Sequence, residues 1–168
     1  VCLSLNHSGN WSSLISRSDT DRPILTIIEL AKIYPNIQFI IRLHPNSDHL
    51  MAEGYRWMER VKSEIRQLKL TNISVSNLTI EQDWDRGDIF ISEYSLSVLD
   101  ALQFGKFVIF LNLTKRVSFV RDLTDVGFKE VRNLSELCTQ LDHILRKPEL
   151  AHSQLSEVIT KYNKKYIR

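Results

Sequence analysis

Short apolar runs alternate along this chain with segments in which apolar residues recur every three or four positions. The apolar runs predict buried strands over residues 1–5, 37–43, 73–75, 88–91 and 107–111. The wider spacing predicts helices over residues 24–33, 51–68, 98–104 and 136–145. Residues 149–168 are expected to form a helical tail whose basic, aromatic end frays.

The alternation of strands and helices predicts an α/β fold with a Rossmann-like parallel sheet flanked by helices on both faces. Parallel neighbours need a crossover connection, and that connection is usually a helix. The strands are continuously apolar, as strands buried on both faces should be. With 168 residues, of which 43% are apolar, the chain is expected to form a single domain over residues 1–168.

Composition and charge argue against several classes of protein. The formal charge is only +2, and Lys and Arg are spread along the chain, so no nucleic-acid partner is predicted. No apolar run approaches the roughly 20 residues that a membrane span needs. Cys2 and Cys138 lack metal-ligand spacing, so neither a structural zinc site nor a disulfide framework is expected. These features favour a cytoplasmic protein.

Polar residues follow four of the predicted strands, at residues 6–9, 44–46, 92–95 and 112–116. The carboxyl ends of parallel strands lie at one edge of the sheet, where open α/β sheets bind their ligands. The sequence therefore predicts a ligand site built from these four strand ends.

The helix expected after residue 97 suggests what that ligand is. A helix start has unpaired amides and a partial positive charge, and Ser95 and Ser97 add hydroxyls there, an arrangement that suits phosphate. In the alternative interpretation Ser97 caps the helix and Asp100 completes a capping box. Glycine-rich dinucleotide and P-loop motifs are absent from the sequence.

Two stretches resemble a known family. "IRLHP" at residues 41–45, followed by "DIFISEYSLSVLDALQFGKFVIF" at residues 88–110, is similar to the C-terminal half of the CDP-glycerol glycerophosphotransferase family, within the GT-B glycosyltransferases. The resemblance covers about two thirds of the chain. It implies a nucleotide-donor-binding half of a longer two-domain enzyme that acts in surface polysaccharide or teichoic acid synthesis.

The resemblance also implies roles for individual residues. His44 stands at the family's His-Pro position and is expected to be catalytic, reaching the pyrophosphate or the transferred group. Ser95, Leu96 and Ser97 are expected to bind the donor phosphates through hydroxyls and backbone amides. Asp100 matches an acidic residue that holds the nucleotide ribose in related enzymes.

The loop after the first strand and three departures from the family pattern also affect the predicted phosphate site. Ser8 and Gly9 are expected to lie in a loop over the phosphates. Glu93 replaces the family's aspartate, Leu96 its second serine and Phe107 its proline, so the phosphate contacts and the donor are expected to differ. Glu93 is interpreted as a solvated carboxylate and not as a catalytic base.

The resembling enzymes transfer a group from a nucleotide diphosphate donor to an acceptor held by an N-terminal domain. We therefore expect a nucleotide-activated donor, an N-terminal acceptor domain outside this chain, and no metal or cofactor. The chain alone is expected to be inactive, and the full-length protein to associate peripherally with the inner face of the membrane. Two alternatives stay open: a domain like that of UDP-N-acetylglucosamine 2-epimerases, and a non-catalytic scaffold domain of the same fold.

Overall fold

The computed structural model of the protein describes residues 2–5, 17–42, 57–93, 97–113 and 124–166. Its strands are β1 (Cys2–Leu5), β2 (Phe39–Arg42), β3 (Ile73–Val75), β4 (Ile89–Glu93), β5 (Phe107–Leu111) and β6 (Glu130–Val131). Its helices are α1 (Arg17–Ile33), α2 (Trp57–Gln67), α3 (Ile80–Arg86), α4 (Ser97–Gln103), α5 (Leu134–Arg146) and α6 (Pro148–Tyr166).

The strands form one sheet in the order β3-β2-β1-β4-β5-β6, and every neighbouring pair is parallel. The first strand lies inside this sheet, since Leu3 is in register with Ile41 of β2 and with Ile91 of β4. The predicted Rossmann-like α/β fold is confirmed.

Side chains alternate between the two faces of the sheet and create two cores. The larger core joins one set of strand residues to α1, α2 and α5, and its strand members include Phe39, Ile41, Ile91 and Ile109. The smaller core lies on the opposite face, where the intervening strand residues pack against α3, α4 and α6. Because both faces are covered, the loops at the carboxyl ends of the strands are the available place for a ligand.

Element bounds follow the hydrophobic pattern closely in the middle of the chain. The predicted strands at residues 73–75 and 107–111 match β3 and β5, while β4 extends two residues beyond its prediction, to Glu93. The first helix begins at Arg17, ahead of the predicted start at residue 24, and runs through Pro23. Proline has a helical φ, so its cost to α1 is the loss of one backbone hydrogen bond and local crowding.

Two elements are absent from the sequence-based prediction. The short helix α3 begins with a capping box, in which the Thr79 hydroxyl accepts from the Gln82 amide and the Gln82 side chain accepts from the Thr79 amide. That Thr-x-x-Gln pattern is visible in the sequence and is the signal that identifies α3. The strand β6 has two residues, too few for any periodicity to show.

Asn72 ties the end of α1 to the start of β3. Its buried side-chain amide donates to the carbonyl oxygens of Ala31 at 2.9 Å, Tyr34 at 3.1 Å and Ile37 at 3.1 Å. Asn72→Ala should lower the free energy of unfolding by about 2–3 kcal/mol, since buried acceptors lose their donor. Urea denaturation measures this loss, with the exposed Asn77→Ala as the control, expected within about 0.5 kcal/mol of the unaltered protein. Equal effects at both positions would contradict the assignment.

Candidate functional site

The carboxyl ends of β2, β1 and β4 meet at one edge of the sheet. Ser4 of β1 is in register with Arg42, the last residue of β2, and with Ser92 of β4. Chain connectivity reverses here: β2 and β3 lie on one side of β1, whereas β4, β5 and β6 lie on the other. A crevice between two such neighbouring strands is where open α/β sheets bind ligands.

The structure describes only part of the predicted site. His44, Ser95, Leu96, Ser8 and Gly9 lie outside the described residues. Their roles stay predictions. The strands that lead to them are described, and β2 and β4 each end two residues before His44 and Ser95, respectively.

The helix predicted over residues 98–104 is present as α4, which begins at Ser97, and its phosphate-binding role stays a prediction. Asp100 lies in its first turn and is exposed. Its carboxylate is therefore accessible to a ligand at the carboxyl edge, as the predicted ribose contact requires. The position also suits a capping role, so both interpretations of Ser97 and Asp100 remain.

A row of in-register residues borders this edge on the face of the smaller core. Ser92 is in register with Phe110 of β5, and Phe110 with Glu130 of β6. Ser92 is 2% exposed, and its hydroxyl has no hydrogen-bond partner among the described residues. Buried polar groups are almost always hydrogen-bonded, so Ser92 is a candidate binding residue that the sequence interpretation did not single out.

Glu130 is the second buried polar side chain of the row, with 6% of its side chain exposed. Its Oε2 accepts from Asn112 Nδ2 at 3.2 Å and from a guanidinium nitrogen of Arg132 at 3.4 Å. Its Oε1 has no partner among the described residues. Among the described residues, this carboxylate therefore has one acceptor atom without a donor, close to the end of β5.

The most extensive polar cluster joins β2 to the loop at residues 76–79, between β3 and α3. Asp83 is fully buried, and its Oδ2 lies 2.9 Å from Arg42 Nη1. The Ser76 hydroxyl donates to the other carboxylate oxygen at 2.7 Å. Arg42 Nη1 also donates to the Leu78 carbonyl oxygen at 2.5 Å. One buried ion pair thus fixes this loop against the carboxyl end of β2.

The residues after this loop add negative charge at the surface. Glu81, in the first turn of α3, is fully exposed. Hydrogen bonds from its own backbone amide and then from the Thr79 hydroxyl lower the pKa of Glu81. The sequence interpretation did not identify the Arg42 and Asp83 pair, because its members are 41 residues apart and no motif links one to the other.

Within the described parts of the chain, no group of three or more His, Cys, Asp or Glu residues is placed to hold a metal ion. Among the helices of those same parts, none is long and apolar enough to cross a membrane.

The sheet order and its two helical layers define a Rossmann-like α/β domain. No known protein family matches the chain by sequence, and no curated protein does. Among solved structures, the chain resembles the C-terminal domain of a group 1 family glycosyltransferase, LpcC, from Francisella tularensis. The TM-score is 0.62 and the identity 15%, over 99% of this chain and 87% of that one.

A second similar structure is UDP-GlcNAc 2-epimerase from Neisseria meningitidis, bound to UDP-GlcNAc. The TM-score is 0.57 and the identity 19%, and the match covers 90% of this chain. The chain spans 38% of the length of that epimerase. At these identities the likeness establishes the fold, which glycosyltransferases and epimerases share.

Proposed function

We propose that this chain is the donor-binding domain of a glycosyl- or glycerophosphotransferase that binds a nucleotide diphosphate-activated donor. The observation that carries the proposal is the convergence of β2 and β4 beside β1, at the point where chain connectivity reverses. These two strands lead within two residues to His44 and Ser95. The resemblance to CDP-glycerol glycerophosphotransferases supports a role in surface polysaccharide or teichoic acid synthesis.

The proposed chemistry is electrostatic. When the acceptor oxygen attacks the donor, negative charge grows on the departing nucleotide diphosphate. His44, Ser95 and the amides of residues 96 and 97 are the groups proposed to stabilise that charge. One well-placed hydrogen-bond donor of this kind contributes about 3–4 kcal/mol to a transition state. The proposal therefore needs no metal or other cofactor.

The acceptor and its activating base are proposed to belong to an N-terminal domain that faces this edge of the sheet. The similarity to the C-terminal domain of a glycosyltransferase supports that arrangement. This chain alone should then bind donor without turnover. For the full-length protein we propose a cytoplasmic location with peripheral association at the inner face of the membrane, and no nucleic-acid partner.

A second candidate is a domain like that of a UDP-N-acetylglucosamine 2-epimerase. The observation in its favour is the similarity to such an enzyme with UDP-GlcNAc bound. Calorimetry with UDP-GlcNAc and CDP-glycerol separates the epimerase from a glycerophosphotransferase. Tighter binding of UDP-GlcNAc favours the epimerase, and tighter binding of CDP-glycerol favours the glycerophosphotransferase.

Titration of the chain with CDP and UDP tests donor binding directly. A ligand at 100 times its dissociation constant should stabilise the folded domain by about 2.7 kcal/mol, because it binds only the folded state. The rise in melting temperature with ligand concentration measures this effect. A melting temperature that no nucleotide diphosphate changes would contradict the proposal and favour the scaffold alternative.

Single substitutions test the proposed residues in the same titration. His44→Ala and Ser95→Ala should each weaken nucleotide diphosphate binding by about tenfold or more, the effect of losing one hydrogen bond to a charged group. Ser153→Ala, at an exposed position of α6, is the control and should bind like the unaltered protein. Reduced stability with unchanged affinity would instead favour a capping role for the residues before α4.

A further inference from the structure

We propose that Arg42 and Asp83 are positioning residues that hold the loop at residues 76–79 in one conformation, so that its backbone selects the base of the bound nucleotide. The inference rests on the proposed function. It concerns the geometry of this loop, which belongs to the described part of the chain.

The loop is held by a buried charge pair and by the groups that surround it. Asp83 is fully buried, whereas the side chain of Arg42 is 13% exposed, so the pair lies largely out of water. Arg42 Nη1 donates both to Asp83 and to the Leu78 carbonyl oxygen, and therefore connects β2, the loop and α3. Ser76 extends the β2–β3 ladder through its amide, which donates to the Ile41 carbonyl oxygen at 2.8 Å.

Other hydrogen bonds fix the remaining backbone of the loop. The Leu78 amide donates to the Ser76 hydroxyl at 3.1 Å, and that same hydroxyl donates to Asp83. The Thr79 amide donates to the Gln82 side chain at 3.0 Å. Asn77 lies between these anchored residues and is exposed. The loop is thus anchored on both sides of Asn77, at the carboxyl end of β3.

The position of the loop suits contact with a base. Neighbouring strands lie about 4.8 Å apart, so the end of β3 is about 14 Å from the end of β4, where the phosphates are proposed to bind. A nucleoside attached to a diphosphate has about this reach. With the phosphates at β4, a base that extends over β1 and β2 reaches the loop at residues 76–79.

A rigid backbone can discriminate cytosine from uracil because the two bases present opposite hydrogen-bonding groups. Cytosine offers an amino donor where uracil offers a carbonyl acceptor. A loop fixed by the ion pair can pair with the hydrogen-bonding groups of one base. The other base would then leave groups of the loop and of the base unpaired. A loop released from the pair can reorient a peptide group and accept either base.

The test compares Arg42→Gln and Asp83→Asn with Arg86→Gln. Arg86 is the matched control: its guanidinium lies 3.5 Å from Asp83, but it is 46% exposed and belongs to α3, so removing it leaves the link to β2 intact. Calorimetry gives the ratio of the CDP and UDP affinities for each variant. Hydrogen exchange gives the local opening of the loop at the Leu78 and Thr79 amides, with β5 amides as the reference.

The unaltered protein should prefer one of the two diphosphates by at least about tenfold. In Arg42→Gln and Asp83→Asn the ratio of the two affinities should approach one. The hydrogen-exchange rates of the Leu78 and Thr79 amides should rise by about tenfold, while those of the β5 amides stay unchanged. Arg86→Gln should leave both quantities within about threefold of the unaltered protein. If Arg42→Gln does not fold, Asp83→Asn provides the same comparison.

Several results would overturn the inference. One is equal affinity of the unaltered protein for CDP and UDP. Another is an unchanged preference for one diphosphate in variants whose loop amides exchange faster. A third is a rise in hydrogen exchange that is uniform across the sheet. Failure of the proposed function looks different, since the unaltered protein would then bind neither diphosphate. In that case the role in base selection falls with it.

Discussion

Arg42→Met is expected to lower the free energy of unfolding by about 3–5 kcal/mol, because it leaves the charge of Asp83 buried without its main partner. The remaining groups near that carboxylate are the Ser76 hydroxyl at 2.7 Å and the half-exposed Arg86 at 3.5 Å. Neither replaces the Arg42 guanidinium, which lies 2.9 Å from the carboxylate. Urea denaturation measures the loss as a lower transition midpoint at constant slope.

The double variant Arg42→Met/Asp83→Leu is the decisive control for this prediction. Removing both charges removes the cost of burying either, so the double variant should be more stable than each single variant by about 2 kcal/mol or more. If the two single losses simply add, the residues are not coupled. In that case the network would not be what holds the loop at residues 76–79.

The second large effect is expected at Phe110. This side chain is fully buried in the smaller core, in register with Ser92 on one side and Glu130 on the other. Phe110→Ala should lower the free energy of unfolding by about 3–5 kcal/mol, since it removes a large apolar group and leaves a cavity under α4 and α6. Thermal and urea unfolding measure the change.

Phe104→Ala is the matched aromatic control. Phe104 is 61% exposed, and its main aromatic contact is Trp84, with ring centroids 4.6 Å apart. Losing that contact should cost about 0.5–1.5 kcal/mol. Comparable losses at positions 104 and 110 would contradict the placement of Phe110 at the centre of the smaller core.

The hydrophobic pattern predicts most of the sheet because its strands are buried on both faces. Continuous apolar runs such as residues 107–111 have no other stable place in a chain of this length. The pattern fails where an element is short or where its buried residues are polar. The helix α3 has seven residues, and one of its two buried side chains is the charged Asp83, so a hydrophobic criterion does not recognise it.

The edge of the sheet that carries the candidate site was predictable on the same basis. Parallel strands have their carboxyl ends at one edge, so this edge follows from the sequence once the strands are recognised, while ligand binding there stays a prediction. The burial of Ser92 and Glu130 does not follow, because it depends on how α4, α6 and the strands pack together. The pairing of Arg42 with Asp83 depends on the same packing. A sequence shows each charge but not its distance to the other.

The internal position of β1 affects how this sheet folds. Within the described sheet, β1 is the strand that joins β2 and β3 to β4, β5 and β6. Both of its pairings close long loops, from Cys2 to Ile40 and from Cys2 to Phe90, and such contacts are slow to form. Until β1 docks, β2 and β4 each present an unpaired edge, the usual starting point of aggregation. Refolding yield should therefore depend on the four residues of β1 far more than their number suggests.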